Sequence, residues 1–252
     1  MLEFKNVKFI YKSGVKEPIL ENLSFKVEDG EFISIVGSSG SGKTTIFRIL
    51  NGLEDIQEGS VEIDGQDIRG LKNYSSYMPQ KDLLLPWKTI EKNVMLPMSI
   101  QKVDKDLQKE RAIEMLKQVG LEEYANKYPK DLSGGMRQRV AFARTLCAGA
   151  NLLLLDEPFS ALDYITRISL QEWLMKQWLD VKKTIVFITH DVEEAIFLSE
   201  KIYVVSGRPI TDIEIKEVDL PYPRTREMLL DPRIQRLKED LIDKLRTTEE
   251  EE

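Results

Sequence analysis

The segment Gly37-Ser38-Ser39-Gly40-Ser41-Gly42-Lys43-Thr44 has the residue types and spacing of a phosphate-binding loop. Its glycines let the backbone curve so that successive N–H groups point at phosphate oxygens, and a helix that starts there adds the positive end of its dipole. We expect Lys43 to reach the β- and γ-phosphates of a nucleotide and the Thr44 hydroxyl to hold Mg²⁺. A buried-strand pattern before the segment and a helical pattern after it disfavour the alternative, a serine-glycine surface loop.

A second candidate site lies at the acidic end of an apolar run. The leucines at 152–155 predict a buried strand, and Asp156 and Glu157 stand at its carboxyl end, which is the edge where open α/β sheets bind ligands. Asp156 has the chemistry to complete a Mg²⁺ shell, and Glu157 is a candidate general base for an attacking water. The alternative is a strand that simply runs into an acidic turn.

The only histidine, His190, follows another apolar run at 184–189. Its place at a predicted strand end favours hydrogen bonding to a γ-phosphate or orientation of a water near Glu157. The alternative is a polar residue that only precedes a helix beginning near Asp191.

Composition restricts the compartment and the class of partner. A formal net charge of −7 over 252 residues provides no global basic field, so we expect no nucleic-acid partner. Cys147 is the only cysteine, which excludes an internal disulfide and favours a reducing compartment. The N-terminal residues lack the layout of a signal peptide, and no run approaches the roughly 20 apolar residues that span a membrane. If the protein works at a membrane, other subunits must hold it there.

The apolar pattern predicts an α/β fold. Residues 2–27 alternate apolar and polar about a turn near Ser13-Gly14, which predicts antiparallel strands, and residues 32–36 predict a buried parallel strand. A helical pattern over 83–150 interrupts the strands. We predict a single domain over residues 1–246, with a mostly parallel core sheet, an antiparallel N-terminal subdomain, a helical subdomain inserted at about 84–150 and a C-terminal helix at about 231–246. We expect an acidic, disordered tail over 247–252.

A second anion site is predicted at Leu132-Ser133-Gly134-Gly135-Met136-Arg137-Gln138-Arg139, where a serine and two glycines precede an apolar-striped helix. With this motif just before the acidic strand, the chain resembles the ATP-binding cassette (ABC) family, whose members have a P-loop NTPase core. The resemblance covers residues 2 to about 205. It implies an ATPase that binds ATP and Mg²⁺.

The other motifs of that family occur in order, and the resemblance assigns each a role. Tyr11 stands where an aromatic residue stacks on adenine, with an ordinary core aromatic as the alternative. Gln80 resembles the glutamine that contacts Mg²⁺ and senses the γ-phosphate, Glu157 and His190 match the catalytic pair, and Thr44, Gln80 and Asp156 match the metal ligands. The implied ATP-binding set is Tyr11, Gly37, Ser38, Ser39, Gly40, Ser41, Gly42, Lys43, Thr44, Thr45 and Gln80.

The resemblance also implies a second copy of the chain as partner. Two copies pack head to tail, and each ATP lies between the phosphate loop of one copy and a set of residues supplied in trans by the other. ATP closes the dimer and hydrolysis releases it. The residues expected in trans are Ser133, Gly134, Gly135 and Gln138, and the loop expected to cross the interface is Ser160, Ala161, Leu162 and Asp163.

A single cassette without a membrane segment is similar to the ATPase subunits of bacterial importers. Those subunits bind membrane permease subunits at the cytoplasmic face of the cell membrane and act indirectly on a solute-binding protein. The stretches 82–87, 136–140 and 219–224 look like the nitrate/sulfonate/taurine importer group, which also includes importers of thiamine-precursor pyrimidines. Trp87 and the leucines at 83–85 either form a groove for a coupling helix of the permease or pack inside the helical subdomain.

Three other functions compete with an importer ATPase. The first is an ABC-type ATPase acting on ribosomes or on iron–sulfur assembly, although ribosome-acting members usually hold two cassettes. The second is a DNA-repair relative, but the segment between Thr44 and Ser133 is too short for the long coiled coil of those proteins. The third is a catalytically dead regulator, which the presence of both Glu157 and His190 disfavours.

Overall fold

The computed structural model describes residues 1–12 and 17–250, the last four by their backbone alone. The turn predicted near Ser13-Gly14 lies outside the described residues. The chain divides into two compact units. We call Met1–Tyr74 together with Met175–Glu252 the phosphate-loop unit, and Ser75–Leu174 the helical unit.

The phosphate-loop unit contains an antiparallel sheet and a mostly parallel one. Its strands are β1 (Leu2–Phe9), β2 (Leu20–Val27), β3 (Phe32–Gly37), β4 (Glu58–Ile63), β5 (Gln66–Asp67), β8 (Thr184–Ile188), β9 (Lys201–Val205) and β10 (Ile213–Glu217). The first sheet has the order β2-β1-β4-β5 and the second contains the order β10-β9-β3-β8. Strand β3 runs parallel to both β8 and β9, and β10 is antiparallel to β9.

Burial explains why these strands differ in pattern. Every residue of β3 and of β8 is buried, as expected for parallel strands covered on both faces. Strand β1 instead alternates buried and more exposed positions, with one interruption at Lys5 and Asn6, as expected for an antiparallel strand covered on one face. Residue Ile35 of β3 pairs with Ile188 of β8. This register brings the carboxyl ends of both strands to one edge of the sheet.

The helical unit contains two parallel strands, β6 (Ser75–Met78) and β7 (Leu152–Asp156), in addition to helices. The predicted helical subdomain at 84–150 lies between these strands in the chain. All five residues of β7 are buried, as its leucine run predicts. The predicted fold class, a parallel α/β core with an antiparallel N-terminal subdomain and an inserted helical region, is confirmed.

Four of the helices begin at a residue whose side chain caps the helix. Ser133, Thr89, Asp104 and Asp191 each accept a hydrogen bond from a backbone N–H of the helix that they precede. The helices are α1 (Lys43–Leu50), α2 (Ile90–Ile100), α3 (Lys105–Gln118), α4 (Gly134–Leu146), α5 (Tyr164–Val181), α6 (Val192–Leu198) and α7 (Pro232–Glu250). Helix α7 covers 247–250, which belong to the predicted acidic tail, and residues 251–252 lie outside the described part of the chain.

The segment that leads to α7 is organised around Arg224. Its side chain is 3% exposed, and its guanidinium donates to the carbonyls of Ile196 at 2.6 Å and Ser199 at 2.7 Å. The same group lies 4.0 Å from the ring centre of Tyr222. A buried cation therefore anchors the segment around Pro221–Pro223 to the rest of the phosphate-loop unit.

Across the described residues, no helix combines the length and the apolar composition that a transmembrane span requires.

Candidate functional site

The loop between β3 and α1 is built around the ammonium group of Lys43. This side chain is 8% exposed, and its Nζ donates to the carbonyl oxygens of Gly37 at 2.9 Å and Ser38 at 2.6 Å. Ser41 Oγ lies 3.4 Å from the same Nζ. A buried positive charge with three oxygen neighbours is thus held inside a curved segment of backbone, as an anion-binding loop requires.

Two glycines are dictated by this geometry. Gly42 has φ of 107°, and a Cβ there would lie 2.7 Å from Ile19 Cγ2. A Cβ on Gly37 would lie 2.7 Å from the carbonyl oxygen of Val205. Any other residue at either position would displace its neighbour or the loop.

The remaining loop residues differ in exposure. Ser38 and Ser41 are buried, whereas Ser39, Gly40 and Thr44 are exposed, and we call these three exposed residues the crest. The exposed groups surround the N-terminus of α1, where the helix dipole is positive. The crest is therefore the side from which a phosphate can approach.

Tyr11 lies beside the start of α1. Its hydroxyl group is 3.0 Å from Thr45 Oγ1, and its ring packs edge-on against Phe9 with centroids 4.8 Å apart. The side chain is partly exposed. This placement next to the phosphate loop fits the predicted adenine contact, which stays a prediction.

His190 lies at the same sheet edge as the phosphate loop, because it follows β8, the parallel neighbour of β3. Its side chain is exposed. The buried residue before it, Thr189, donates from Oγ1 to Glu194 at 2.7 Å and accepts from the backbone N–H of Asp191 at 3.0 Å. These two hydrogen bonds stabilise the turn that contains His190.

The acidic pair at the end of β7 lies in the helical unit. Asp156 is 2% exposed, so its carboxylate is withdrawn from water. Glu157 is half-buried and has a positive φ of 49°, which is uncommon for a residue with a side chain. Gln80 Nε2 donates to Glu157 Oε2 at 3.1 Å. The structure thus brings together the predicted glutamine and the predicted base.

The N-terminus of α4 exposes the second predicted anion site. Ser133 and Gly134 are exposed, and Ser133 Oγ accepts from the backbone N–H of Met136 at 3.3 Å. Gly135 packs closely on the next loop, since a Cβ there would lie 3.0 Å from the carbonyl oxygen of Ala161. The first residues of α4 and the predicted interface loop therefore adjoin each other.

The amide of Gln138 is hydrogen-bonded within its own chain. Its side chain is 4% exposed; Nε2 donates to Glu157 O and to Ser160 Oγ, each at 3.1 Å, and Oε1 accepts from the backbone N–H of Ala161 at 2.9 Å. Both ends of the amide are bonded within its own chain. The contact of Gln138 with ATP in trans stays a prediction, and it requires the amide to exchange these three internal bonds for a partner's nucleotide.

The loop Ser160, Ala161, Leu162 and Asp163 links β7 to α5. Leu162 is buried and the other three residues are exposed. Asp163 Oδ1 accepts from the backbone N–H of Thr166 at 3.0 Å. Hydrogen bonding to Thr166 lowers the pKa of Asp163 below its ordinary value, so the carboxylate stays ionised at the start of α5.

The segment after Gln80 displays apolar side chains. Trp87 is 72% exposed and Leu83 is 61% exposed, whereas Leu84 is buried. Leu84 packs internally, as one of the two interpretations of this segment predicts. Trp87 and Leu83 are exposed, as the other interpretation, a groove for a permease helix, requires.

Two residues that the sequence did not single out hold this segment in place. Asn93 is fully buried on α2, accepts from the backbone N–H of Leu85 at 2.8 Å and donates to the carbonyl of Lys88 at 3.1 Å. Arg144 on α4 donates to the carbonyls of Asp82 and Leu83 at 2.7 and 2.9 Å. A polar residue within the apolar stripe of α2 was the available signal for Asn93.

Comparisons with known proteins show the family to which the chain is similar. The family model described as ABC transporter matches residues 20–160. A formylaminopyrimidine import ATP-binding protein, ThiZ, from Halalkalibacterium halodurans is 42% identical over 90% of this chain and 88% of its own length. An aliphatic sulfonates import ATP-binding protein, SsuB, from Bacillus cereus is 41% identical over 87% of this chain and 86% of its own.

A solved structure is similar as well. It is the dimeric post-hydrolysis state of the ATP-binding cassette MJ0796 bound to ADP and Pi, with a TM-score of 0.78 and 33% identity. The similarity covers 88% of this chain and 100% of that one.

We expect Gly42→Ala to weaken nucleotide binding at least about tenfold, equivalent to roughly 1.4 kcal/mol. The physical reason is the clash of the new Cβ with the buried side chain of Ile19, which adds to the strain of a positive φ. A titration with a fluorescent ATP analogue measures the effect.

The matched control is Gly65→Ala. Gly65 also has a positive φ, of 73°, but a Cβ there meets nothing within 4 Å. Both variants carry the left-handed cost of about 1–2 kcal/mol, and only Gly42→Ala is expected to lose affinity. Equal affinities for the two variants would contradict the geometry of the loop.

Proposed function

We propose that this chain, which belongs to the ABC transporter family and is one of its ATP-binding ATPases, is the ATP-hydrolysing subunit of an importer. One observation carries the proposal. The loop encloses the ammonium of Lys43 with the carbonyl oxygens of Gly37 and Ser38 and leaves other loop residues exposed for a phosphate. The identity of 41–42% with proteins named as import ATP-binding proteins supports the importer branch. Its place of action is the cytoplasmic face of the cell membrane.

In the proposed binding mode, ATP phosphates lie on the crest of the phosphate loop. Lys43 Nζ leaves part of its carbonyl shell at Gly37 and Ser38 and turns to the β- and γ-phosphates, exchanging neutral acceptors for charged ones. The backbone N–H groups at the start of α1 and the loop serines bind the other phosphate oxygens. Tyr11, anchored beside Thr45, contacts the adenine.

The donor chemistry of three residues suits the magnesium ion of the proposed site. Thr44, Gln80 and Asp156 offer hydroxyl, amide and carboxylate oxygens, the donor type that Mg²⁺ prefers. Within the described residues, no group of three His, Cys, Asp or Glu side chains could hold a metal by itself. Mg²⁺ at a nucleotide site binds through few side chains, several waters and substrate phosphates. When bound, the ion neutralises charge on the phosphates.

In the proposed reaction, Glu157 accepts a proton from water as the water oxygen attacks the γ-phosphorus. The bond from that phosphorus to the β–γ bridging oxygen breaks, and ADP leaves with the electron pair. Gln80 holds Glu157 Oε2 at 3.1 Å and so restricts the orientation of the carboxylate. His190, on the edge next to the phosphate loop, donates a hydrogen bond to the γ-phosphate.

The proposed active unit is a head-to-tail dimer. We propose an anion site at the start of α4, where Ser133 and Gly134 are exposed beside Gly135 and the helix N-terminus favours negative charge. A dimeric structure of the related cassette MJ0796 supports this arrangement. Each ATP would then lie between one copy's phosphate loop and the other copy's Ser133–Gly135 segment.

The proposed permease contact is the exposed apolar surface of Trp87 and Leu83. Asn93 and Arg144 hold this surface in a fixed shape, which suits the docking of a partner helix. The transported solute is expected to belong to the classes named for the relatives, aliphatic sulfonates or formylaminopyrimidines. Discrimination between them rests with the permease and the solute-binding protein.

Glu157→Gln is expected to lower ATP hydrolysis by about 10²–10⁴-fold, because the amide cannot accept the proton from water. ATP binding is retained, so the dimer accumulates in its closed form. Size-exclusion chromatography with and without Mg-ATP measures the shift from monomer to dimer. Glu110→Gln, an exposed change on α3, is the control and keeps wild-type turnover. A Glu157→Gln protein that stays monomeric with ATP, or turns over normally, would remove Glu157 from the mechanism.

Transport is tested by co-expressing the chain with the permease and solute-binding proteins encoded beside it, followed by reconstitution into proteoliposomes. We expect the loaded solute-binding protein to stimulate ATP hydrolysis in the wild type. Trp87→Ala should keep the basal rate of the isolated chain and lose most of this stimulation, because the docking surface is cut back.

The control variant is Ile100→Ala, which truncates an equally exposed apolar side chain at the end of α2, 71% exposed against 72% for Trp87. Stimulation of Trp87→Ala equal to that of the control would exclude the proposed docking surface. A chromosome with no permease or solute-binding gene beside this one would instead favour an ABC-type ATPase that works away from membranes.

A further inference from the structure

The backbone of Glu157 is held in a conformation that its own residue type does not favour. Its φ of 49° lies in the left-handed region, which a residue with a side chain adopts only where the surroundings fix it. The direction of the Glu157 carboxylate depends on this backbone angle. The groups that hold the backbone therefore also aim the proposed base.

Three donors converge on the carbonyl oxygen of Glu157. Gln138 Nε2 lies at 3.1 Å, Ser160 Oγ at 3.0 Å and the Ser160 backbone N–H at 3.3 Å. The two contacts of Ser160 come from the turn that follows. Gln138 alone among the three comes from another element, helix α4.

The other end of the Gln138 amide holds the next loop. Its Oε1 accepts from the backbone N–H of Ala161 at 2.9 Å, and Gly135, in the preceding turn of α4, packs against the carbonyl oxygen of the same Ala161. The side chain at this position must therefore donate from one end and accept at the other. Among the polar residues of this length, only glutamine supplies both without a charge.

We infer that Gln138 is a positioning residue that links the trans ATP site at the start of α4 to the general base of its own chain. The inference rests on the proposed function, in which Ser133–Gly135 binds the partner's ATP. Gln138 follows that segment by one helical turn, so a shift of the helix start on closure of the dimer displaces the Gln138 amide. The displaced amide then shifts the backbone of Glu157 and the loop at 160–163, because it is hydrogen-bonded to Glu157 O, Ser160 Oγ and the Ala161 N–H.

This linkage gives a physical route for cooperativity between the two nucleotides of a dimer. A nucleotide bound in trans orders α4, α4 fixes Gln138, and Gln138 fixes the backbone that aims Glu157 at the nucleotide of its own chain. Both arms of the linkage consist of contacts within the helical unit. Hydrolysis in one site therefore depends on occupation of the other.

The test is Gln138→Met, which keeps the volume of the side chain and removes the donor and the acceptor. The expected result is a fall in kcat of about 10–100-fold, the scale of a misaligned catalytic group. The KM for ATP is expected to stay unchanged, because no phosphate-loop group is altered. The Hill coefficient for ATP hydrolysis is expected to fall from above 1 to 1.

Gln108→Met is the matched control. Gln108 is also buried, at 5% exposure, and its amide likewise donates to a carbonyl, that of Val103, and accepts from a hydroxyl, that of Ser99, each at 2.6 Å. It lies on α3 and touches neither Glu157 nor the loop at 160–163 in any of these bonds. A loss of stability common to both variants, with kcat and Hill coefficient changed only in Gln138→Met, supports the inference.

A second variant, Ser160→Ala, covers the case in which Gln138→Met does not fold. Ser160 is exposed, and its hydroxyl supplies one of the three bonds to Glu157 O. We expect a smaller loss of kcat, several-fold, again with KM unchanged.

Two outcomes would overturn the inference. One is a wild-type kcat and Hill coefficient in Ser160→Ala or in a folded Gln138→Met. The other is an equal loss of kcat in Gln138→Met and Gln108→Met. A wild type that does not hydrolyse Mg-ATP would instead overturn the proposed function, and the inference with it.

Discussion

The contact between the Lys43 ammonium and the carbonyl oxygens of Gly37 and Ser38 is the constraint from which the proposed chemistry follows. A charge that is 8% exposed is tolerated only where oxygen atoms surround it. The backbone therefore curves around the ammonium, and Gly42 is required because a Cβ would meet Ile19. The same curvature turns exposed groups of the crest outward at the start of α1, where anions are stabilised.

Much of this arrangement could be predicted from the sequence, because each element carries its own local signal. The predominantly apolar runs of β3, β7 and β8 predict buried parallel strands, and the structure has them at these positions. In parallel strands the carboxyl ends meet at one edge. The placement of His190 beside the phosphate loop follows from this rule and from the pairing of β3 with β8.

What the sequence could not supply are the contacts between residues far apart in the chain. Gln138 lies inside a recognisable motif, and its type alone does not reveal whether its amide faces outward or inward. In the structure the amide faces Glu157 and Ala161 of its own chain. Asn93 was missed for the same reason, since its bonds to Leu85 and Lys88 exist only after α2 has packed.

The most direct test of the central claim is the rate of Mg-ATP hydrolysis of Lys43→Ala, measured beside the wild type and Lys109→Ala. Lys109 is exposed on α3, so its removal controls for the loss of one positive charge. The account predicts that Lys109→Ala keeps the wild-type rate and that Lys43→Ala loses about 100-fold or more, the scale of removing one group that stabilises transition-state charge. Hydrolysis by Lys43→Ala at the wild-type rate would contradict it.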